Sequence, residues 1–375
     1  MFPAIAYLEW IDGRPEAAEY DLGSSDLRGT RSEQFGPIPG RLAGLDDPPA
    51  SLDLRSQLAE VYDVDSENVL LTPGATTANF VAIATALTAV TGEDDESGDD
   101  EPERDPQVLV EKPGYEPLRA TSQALGGRVD RFLRPAEDDY RLDPERIGSA
   151  LADDAALAIT TNRHNPSGTL TDRETLAEAA SVAGEYGIPV LVDEVYAPYT
   201  TTAEEGAFGG PTAAGLDGAV VTGSLTKFFG LGGLRLGWLV AEADFVSRAR
   251  SVAWHIPALA EPSVTLGRRA LAHKSDLEPV QRDLCATNHE QLASFVESRP
   301  DVSGDVPAGS PFAFLSVDGI DGDELAARAW EEADLLVVPG RFFEIPDAVR
   351  VSLGRAPEEG AAALERFGEL LDSLA

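Results

Sequence analysis

Short apolar runs rich in β-branched residues recur along the middle of the chain, at Val108–Val110, Leu157–Thr160, Val190–Val192 and Ala219–Thr222. Between them lie stretches in which apolar residues return every three or four positions, as from Arg173 to Tyr186. Runs without polar alternation predict strands covered on both faces, and their alternation with helices predicts an α/β fold with a mainly parallel sheet. Beyond about residue 275 the pattern changes. A long helical stretch from Glu278 to Glu297 is followed by strand patterns at Phe312–Val317, Leu335–Val338 and Val349–Leu353, which predicts a second, smaller α+β lobe. The first forty or so residues read as an irregular arm packed on that lobe, closing in the turn-prone run Phe35-Gly36-Pro37-Ile38-Pro39-Gly40. Gly92 to Pro106 holds no core-forming residue and reads as a solvated loop between a helix and a strand. The expected division is therefore a large domain over 45–275 and a small one from 1–44 and 276–375. No repeat of roughly 20 to 50 residues is visible, which sets solenoids and propellers aside.

Composition narrows the function classes. At 375 residues the chain exceeds the size of one ordinary core, in keeping with two lobes. No stretch approaches the roughly 20 apolar residues that cross a bilayer. Met1–Ala6 has no basic residue before a short apolar run that Glu9 interrupts, unlike a secretory leader, so a cytoplasmic location is expected. One cysteine, Cys285, and four scattered histidines make metal catalysis a poor starting point. Sixty-six acidic residues against 29 basic ones give a net charge of −37, which disfavours nucleic acid and anionic membranes as partners. The acids are spread along the whole chain, so adaptation to a salty cytoplasm accounts for them better than a basic protein partner does.

Five segments carry chemistry-bearing residues at strand ends or strand-to-helix turns. The strongest runs from Val221 to Gly237, with Ser224, Lys227 and Arg235 among aromatics and glycines. Only three lysines occur, Lys112, Lys227 and Lys274, so one placed in apolar surroundings stands out. Desolvation is expected to lower the pKa of Lys227 and favour the neutral amine that attacks a carbonyl. Ser224 and Arg235 offer a hydroxyl and a fork of donors to a phosphate. A surface lysine beside a glycine-rich loop is the competing explanation. A dinucleotide fingerprint is excluded, because Arg235 occupies the third glycine position of the Gly230-Leu-Gly232-Gly-Leu-Arg235 run.

The strand ending Leu191-Val192-Asp193-Glu194-Val195-Tyr196 places a carboxylate where it can hold a ring nitrogen protonated, with Tyr196 as a donor to a ring oxygen. Helix capping explains Asp193 equally well when taken alone. Asn165, in the turn Asn162 to Gly168, can bond a ring oxygen and a substrate carboxylate, although turn chemistry also accounts for Asn-Pro and Ser-Gly. His164 reads as a structural neighbour. Gly74-Ala75-Thr76 opens a helix whose N–H groups suit a phosphate, ordinary capping being the alternative. Tyr115 lies on a loop where it can stack on a planar ring. Arg350, inside the apolar strand Val349–Leu353, needs a partner, either a substrate α-carboxylate or an internal acid.

Taken in order, these segments resemble the class I and II aminotransferases, the fold-type I group of pyridoxal 5′-phosphate enzymes, over nearly the whole chain. Gly74-Ala75-Thr76, Asn165-Pro166-x-Gly168, Asp193-x-x-Tyr196 and Ser224-x-x-Lys227 with Arg235 agree in type, order and spacing. The resemblance implies a mainly parallel seven-stranded sheet sandwiched by helices, beside a smaller α+β domain. It implies that Lys227 forms the internal aldimine with pyridoxal 5′-phosphate, that Asp193 partners the ring nitrogen, that Tyr196 and Asn165 bond the ring oxygen and that Tyr115 stacks on the ring. Phosphate falls to Ala75, Thr76, Ser224 and Arg235, and the substrate carboxylate to Arg350, with the Gly23 backbone bordering the substrate. The implied reaction moves the amino group of an amino acid to a 2-oxo acid, by a homodimer. A lyase or decarboxylase on the same scaffold is the rival, separated by whether product requires an added oxo acid. Two departures stand out. The stretch before Leu54 lacks the Tyr-Pro pattern that sends a tyrosine to the neighbouring subunit's phosphate, and Arg163 replaces a usual small residue or proline, as though facing the substrate side chain.

Overall fold

The structure is a computed structural model that describes residues 5–27, 38–91, 105–203 and 205–374. The residues 35–37 of the turn-prone run and 92–104 of the acidic loop lie outside them. The strands in chain order are β1 (Tyr20–Asp21), β2 (Val69–Thr72), β3 (Gln107–Lys112), β4 (Arg128–Leu133), β5 (Ala155–Thr161), β6 (Val190–Asp193), β7 (Ala219–Ser224), β8 (Gly237–Val240), β9 (Val302–Ser303), β10 (Phe312–Val317), β11 (Leu335–Leu336), β12 (Val338–Pro339) and β13 (Val349–Ser352).

Seven strands form the large sheet, ordered β2-β8-β7-β6-β5-β3-β4. The pairs β3–β4, β3–β5, β5–β6 and β6–β7 are parallel, and β8 runs antiparallel to both neighbours. Every residue of β5, β6 and β7 is buried, the signature of a sheet covered on both faces. One face carries Val81, Ile83 and Leu87 of the helix Ala75–Thr91 against Val108, Ile159 and Leu191. The other carries Leu176 and Ala180 of the helix Arg173–Glu185 against Val190, Val192 and Val221. Asp172 caps that helix by accepting from Thr175 N–H at 2.8 Å, and its chain reverses after Glu185 through Gly187 at φ +71°.

A four-stranded antiparallel sheet, β12-β13-β10-β9, builds the second core with Leu325, Ala329, Leu364 and Phe367 from flanking helices. The expected strand Leu335–Val338 is split. Leu335 and Leu336 pair with β1, whereas Val338 turns to pair with Arg350 of β13, so one apolar run serves two sheets. The arm is also less irregular than its composition suggests: Ala6–Ile11 and Arg14–Ala17 are helical. It joins both cores, Leu22 entering the small one and Leu27 and Leu42 the large one. That double attachment lays residues 22–27 across the carboxyl ends of β6 and β7, where α/β sheets present their ligand sites.

Candidate active site

A cavity of about 430 Å³ opens at those strand ends, lined by Tyr7, Ala75, Thr76, Asn79, Tyr115, Asn165, Asp193, Tyr196, Ser224, Thr226, Lys227, Arg235 and Arg350, among others. Of the expected site residues, all but Gly23 line it.

One group of residues gathers donors at the turn before the helix Ala75–Thr91. Gly74 sits there at φ +90°, and a Cβ on it would lie 2.9 Å from Arg235 Nη2. Gly237, starting β8, passes so close that a Cβ would meet Gly74 C at 2.4 Å and Ala75 N at 2.6 Å. Only glycine admits this approach. It brings a 17-residue helix N-terminus, the hydroxyls of Thr76, Ser224 and Thr226, and the Arg235 guanidinium to one cavity, a donor set fit for a phosphate.

The floor is Asp193, buried at the end of β6. Asn79 Nδ2 donates to its Oδ2 at 2.8 Å and Val195 N–H to its Oδ1 at 3.1 Å, while Thr222 Oγ1 donates to Asn79 Oδ1 at 2.6 Å and fixes the amide. Burial holds the Asp193 carboxyl above its ordinary pKa despite these two hydrogen bonds. Neither hydrogen-bond donor is charged, so a cationic ring N–H suits this carboxylate. Nothing in the local pattern around Asn79 points to this role, which depends on the fold bringing it within reach of Asp193.

Lys227 follows β7, and its Nζ donates to Ser25 Oγ at 3.3 Å and stands 5.4 Å from the Tyr196 ring centre. The expectation of a depressed pKa is overturned in the chain alone. Burial does oppose the ammonium, but Tyr196, Asp26 and Tyr7 together outweigh it and raise the pKa above its ordinary value. Tyr115 is half-buried with its ring edge-on to Tyr7, centroids 5.9 Å apart.

Arg350, on β13, is 1% exposed. Nη1 donates to Asn165 Oδ1 at 2.7 Å and Nη2 to the Gly23 carbonyl at 3.1 Å, and no carboxylate of the described residues pairs with it. The internal salt bridge considered for it is therefore not what holds it. With its oxygen committed to Arg350, Asn165 has only its NH₂ end to offer an anionic oxygen. Gly23 lies behind the arginine and not on the cavity: its N–H is bonded to Asp21 Oδ1 at 3.0 Å and its carbonyl to Arg350. Arg163 is also corrected. Its guanidinium is buried and donates to the carbonyls of Gly168 at 2.6 Å, Ala308 at 3.3 Å and Tyr199, bracing three loops beside a separate cavity of about 850 Å³. His164 is structural as expected, bonded to Ser167 Oγ at 2.7 Å and the Pro113 carbonyl at 3.0 Å, its pKa pushed down to about 3 by burial and by Arg134.

The sequence matches the family model described as aminotransferase class I and II over residues 39–367. The chain belongs to this family. It is a pyridoxal 5′-phosphate-dependent aminotransferase whose substrates are amino acids and oxo acids. Among similar proteins, an aspartate aminotransferase from Streptomyces avermitilis is 25% identical over 88% of this aminotransferase and 80% of its own length. A histidinol-phosphate aminotransferase from Halorubrum lacusprofundi is 28% identical, over 86% of this chain and 80% of its own. The solved structure of a PLP-dependent aminotransferase from Streptococcus suis superposes with a TM-score of 0.83 at 22% identity, covering 100% of this chain and 99% of the other, so the two share a fold. No helix among the described residues of this aminotransferase is long and apolar enough to cross a membrane.

Proposed function

We propose that Lys227 is the covalent anchor for pyridoxal 5′-phosphate and the proton carrier for amino transfer. One observation carries the reading: a lysine amine, a buried carboxyl with uncharged hydrogen-bond donors and an arginine with no acid partner among the described residues all face one cavity. Bound there, the cofactor supplies an electron sink for the charge left when a bond to the substrate Cα breaks. Asp193 holds a proton at the ring nitrogen, and Asn79 holds Asp193 in place. Tyr196 and Asn165 donate to the ring oxygen, Tyr115 covers a ring face, and Ala75, Thr76, Ser224 and Arg235 bind the phosphate, with Thr226 added by its place on the cavity. Arg350 takes the substrate α-carboxylate in a two-pronged grip and so orients the bond to be cleaved. Gly23 acts through Arg350. With an amino acid held there, Lys227 Nζ would be the group that takes the Cα proton and gives it back.

Borohydride reduction followed by peptide mapping tests the anchor. The cofactor adduct is expected on the peptide containing Lys227, and Lys227→Ala is expected to lose on the order of 10⁴-fold in turnover with the fold intact by circular dichroism. An adduct on another peptide, or full turnover in the variant, sinks the assignment.

The reading extends to organisation and habitat. We propose a large domain over 45–275, a small one from 1–44 and 276–375, and a homodimer, which light scattering checks as twice the 39.7 kDa chain mass. A salty cytoplasm is the proposed habitat, supported by the charge of −37 and by similarity to a relative from a halophile. Screening of that charge predicts a melting temperature that rises with molar KCl, and a flat response counts against it.

A further inference from the structure

The arm that carries Ser25 is clamped on both sides. Asp21 Oδ1 accepts the N–H groups of Gly23 at 3.0 Å and Ser24 at 2.9 Å, and Arg355 Nη2 donates to Asp21 Oδ2 at 2.9 Å. Tyr199 OH donates to the Ser25 carbonyl at 2.8 Å, and Leu27 N–H to the Lys227 carbonyl at 3.0 Å. Gly354 runs so close beneath that a Cβ on it would lie 2.1 Å from the Asp26 carbonyl oxygen. Ser25 is 5% exposed and cannot swing away. Its hydroxyl lies 2.6 Å from Tyr196 OH and accepts from Lys227 Nζ at 3.3 Å.

A serine hydroxyl has one proton to give and two lone pairs. While Lys227 is an ammonium, Nζ donates to Ser25 Oγ, which leaves the Ser25 proton free to go to Tyr196 OH, 2.6 Å away. Tyr196 is then left to donate into the cavity. When Nζ is neutral the chain can reverse, with Ser25 donating to the amine lone pair and accepting from Tyr196. We propose that Ser25 is a positioning residue that couples the protonation of Lys227 to the direction in which Tyr196 donates. The proposal rests on Lys227 being anchor and proton carrier, and it gives that role a consequence: a proton arriving on Nζ turns the Tyr196 donor toward the ring oxygen. Other groups face Nζ, namely Tyr196 from the loop after β6, Asp26 from the arm, Tyr7 from the helix Ala6–Ile11, Arg350 from β13, Asp193 at the end of β6 and Arg235 before β8. Among the described residues, Ser25 is the one that hydrogen-bonds it.

The test uses cofactor-loaded wild type, Ser25→Ala, Ser25→Gly and Ser25→Thr. The pH midpoint of the lysine-bound chromophore, read by absorbance, is expected to fall by about one pH unit in the alanine and glycine variants, because the protonated nitrogen loses its acceptor. Their kcat is expected to fall about tenfold while KM for the amino donor stays within about twofold, and threonine is expected to restore both. An unchanged midpoint and kcat in Ser25→Ala and Ser25→Gly overturns the coupling. Equal losses in the threonine and alanine variants assign the arm a purely structural role and overturn it as well. Mapping of the reduced adduct away from Lys227 is a separate outcome that removes the anchor reading itself, and the coupling with it.

Discussion

Glu111 and Asp193 stand near the carboxyl ends of two strands of one sheet, both shut from solvent, yet the chain surrounds them in opposite ways. Glu111 accepts from Arg134 Nη1 at 2.8 Å, Thr160 Oγ1 at 2.7 Å, Thr161 Oγ1 at 2.6 Å and Thr161 N–H at 3.1 Å. Burial raises its pKa, but Arg134, His164 and the two threonines prevail and hold it below the ordinary carboxylate range. Asp193 has an amide and a backbone N–H as hydrogen-bond partners, and burial wins. The difference separates architecture from chemistry. A buried charge saturated by its own chain, with four donors, one of them a fully buried arginine, braces the fold. One held in place by neutral donors and facing a cavity is set to meet a charge brought by a ligand.

The comparison breaks most readily at Glu111. Glu111→Gln leaves Arg134 buried without its counter-charge and is expected to cost about 3–5 kcal/mol in urea unfolding, with kcat per folded molecule unchanged. Asp193→Asn should lower kcat by about 10²–10³-fold at a smaller cost in stability than Glu111→Gln, because its NH₂ displaces one neutral donor and leaves no buried charge unpaired. An Asp193→Asn as destabilised as Glu111→Gln, or an inactive but stable Glu111→Gln, would dissolve the distinction. Arg350 belongs with Asp193, because its contacts in the chain are neutral acceptors. Arg350→Lys removes the two-pronged grip and is expected to raise KM for the amino acid by about 100-fold, as steady-state kinetics would show.

Glu194 sharpens the contrast through its pH dependence. It accepts from Ala213 N–H at 2.6 Å and Thr212 Oγ1 at 2.7 Å, yet burial pushes its pKa up to about 8. That value lies above the unfolded one of about 4.3, so between the two the folded chain keeps a proton that the unfolded chain has released. Stability therefore falls as pH rises through this window, by at most about 1.4 kcal/mol per pH unit, and levels off above pH 8. Glu194→Gln should flatten that slope in denaturant titrations run across the range, and an unaltered slope would place the titrating group elsewhere.

Much of this was legible before the fold was known, and what escaped did so for physical reasons. The central strands were visible because burial on both faces leaves continuous apolar runs, as in Val190–Val192. β4 was not, since Arg128-Val-Asp-Arg-Phe-Leu133 lies at the sheet edge, is mostly half-buried and keeps its charges. Lys227, Asp193, Tyr196, Asn165, Arg235 and Arg350 were named from their segments, and all reach one cavity. Arg163 was misplaced because a departure from a usual small residue or proline does not reveal whether the guanidinium meets substrate atoms or the carbonyls of loops 36 and 145 residues away in sequence.

The sequence by itself determined the strand and helix alternation, the charge of the surface and the order of the reactive side chains, because each is written in local spacing and residue type. Which buried charges are satisfied internally was decided only by tertiary structure. Asn79 meets Asp193 across 114 positions, Ser25 meets Lys227 across 202, and Arg350 meets Gly23 across 327. Hydrogen bonding acts over about 3 Å whatever the separation along the chain, so these partners come into being only when the sheet and the arm have closed on one another.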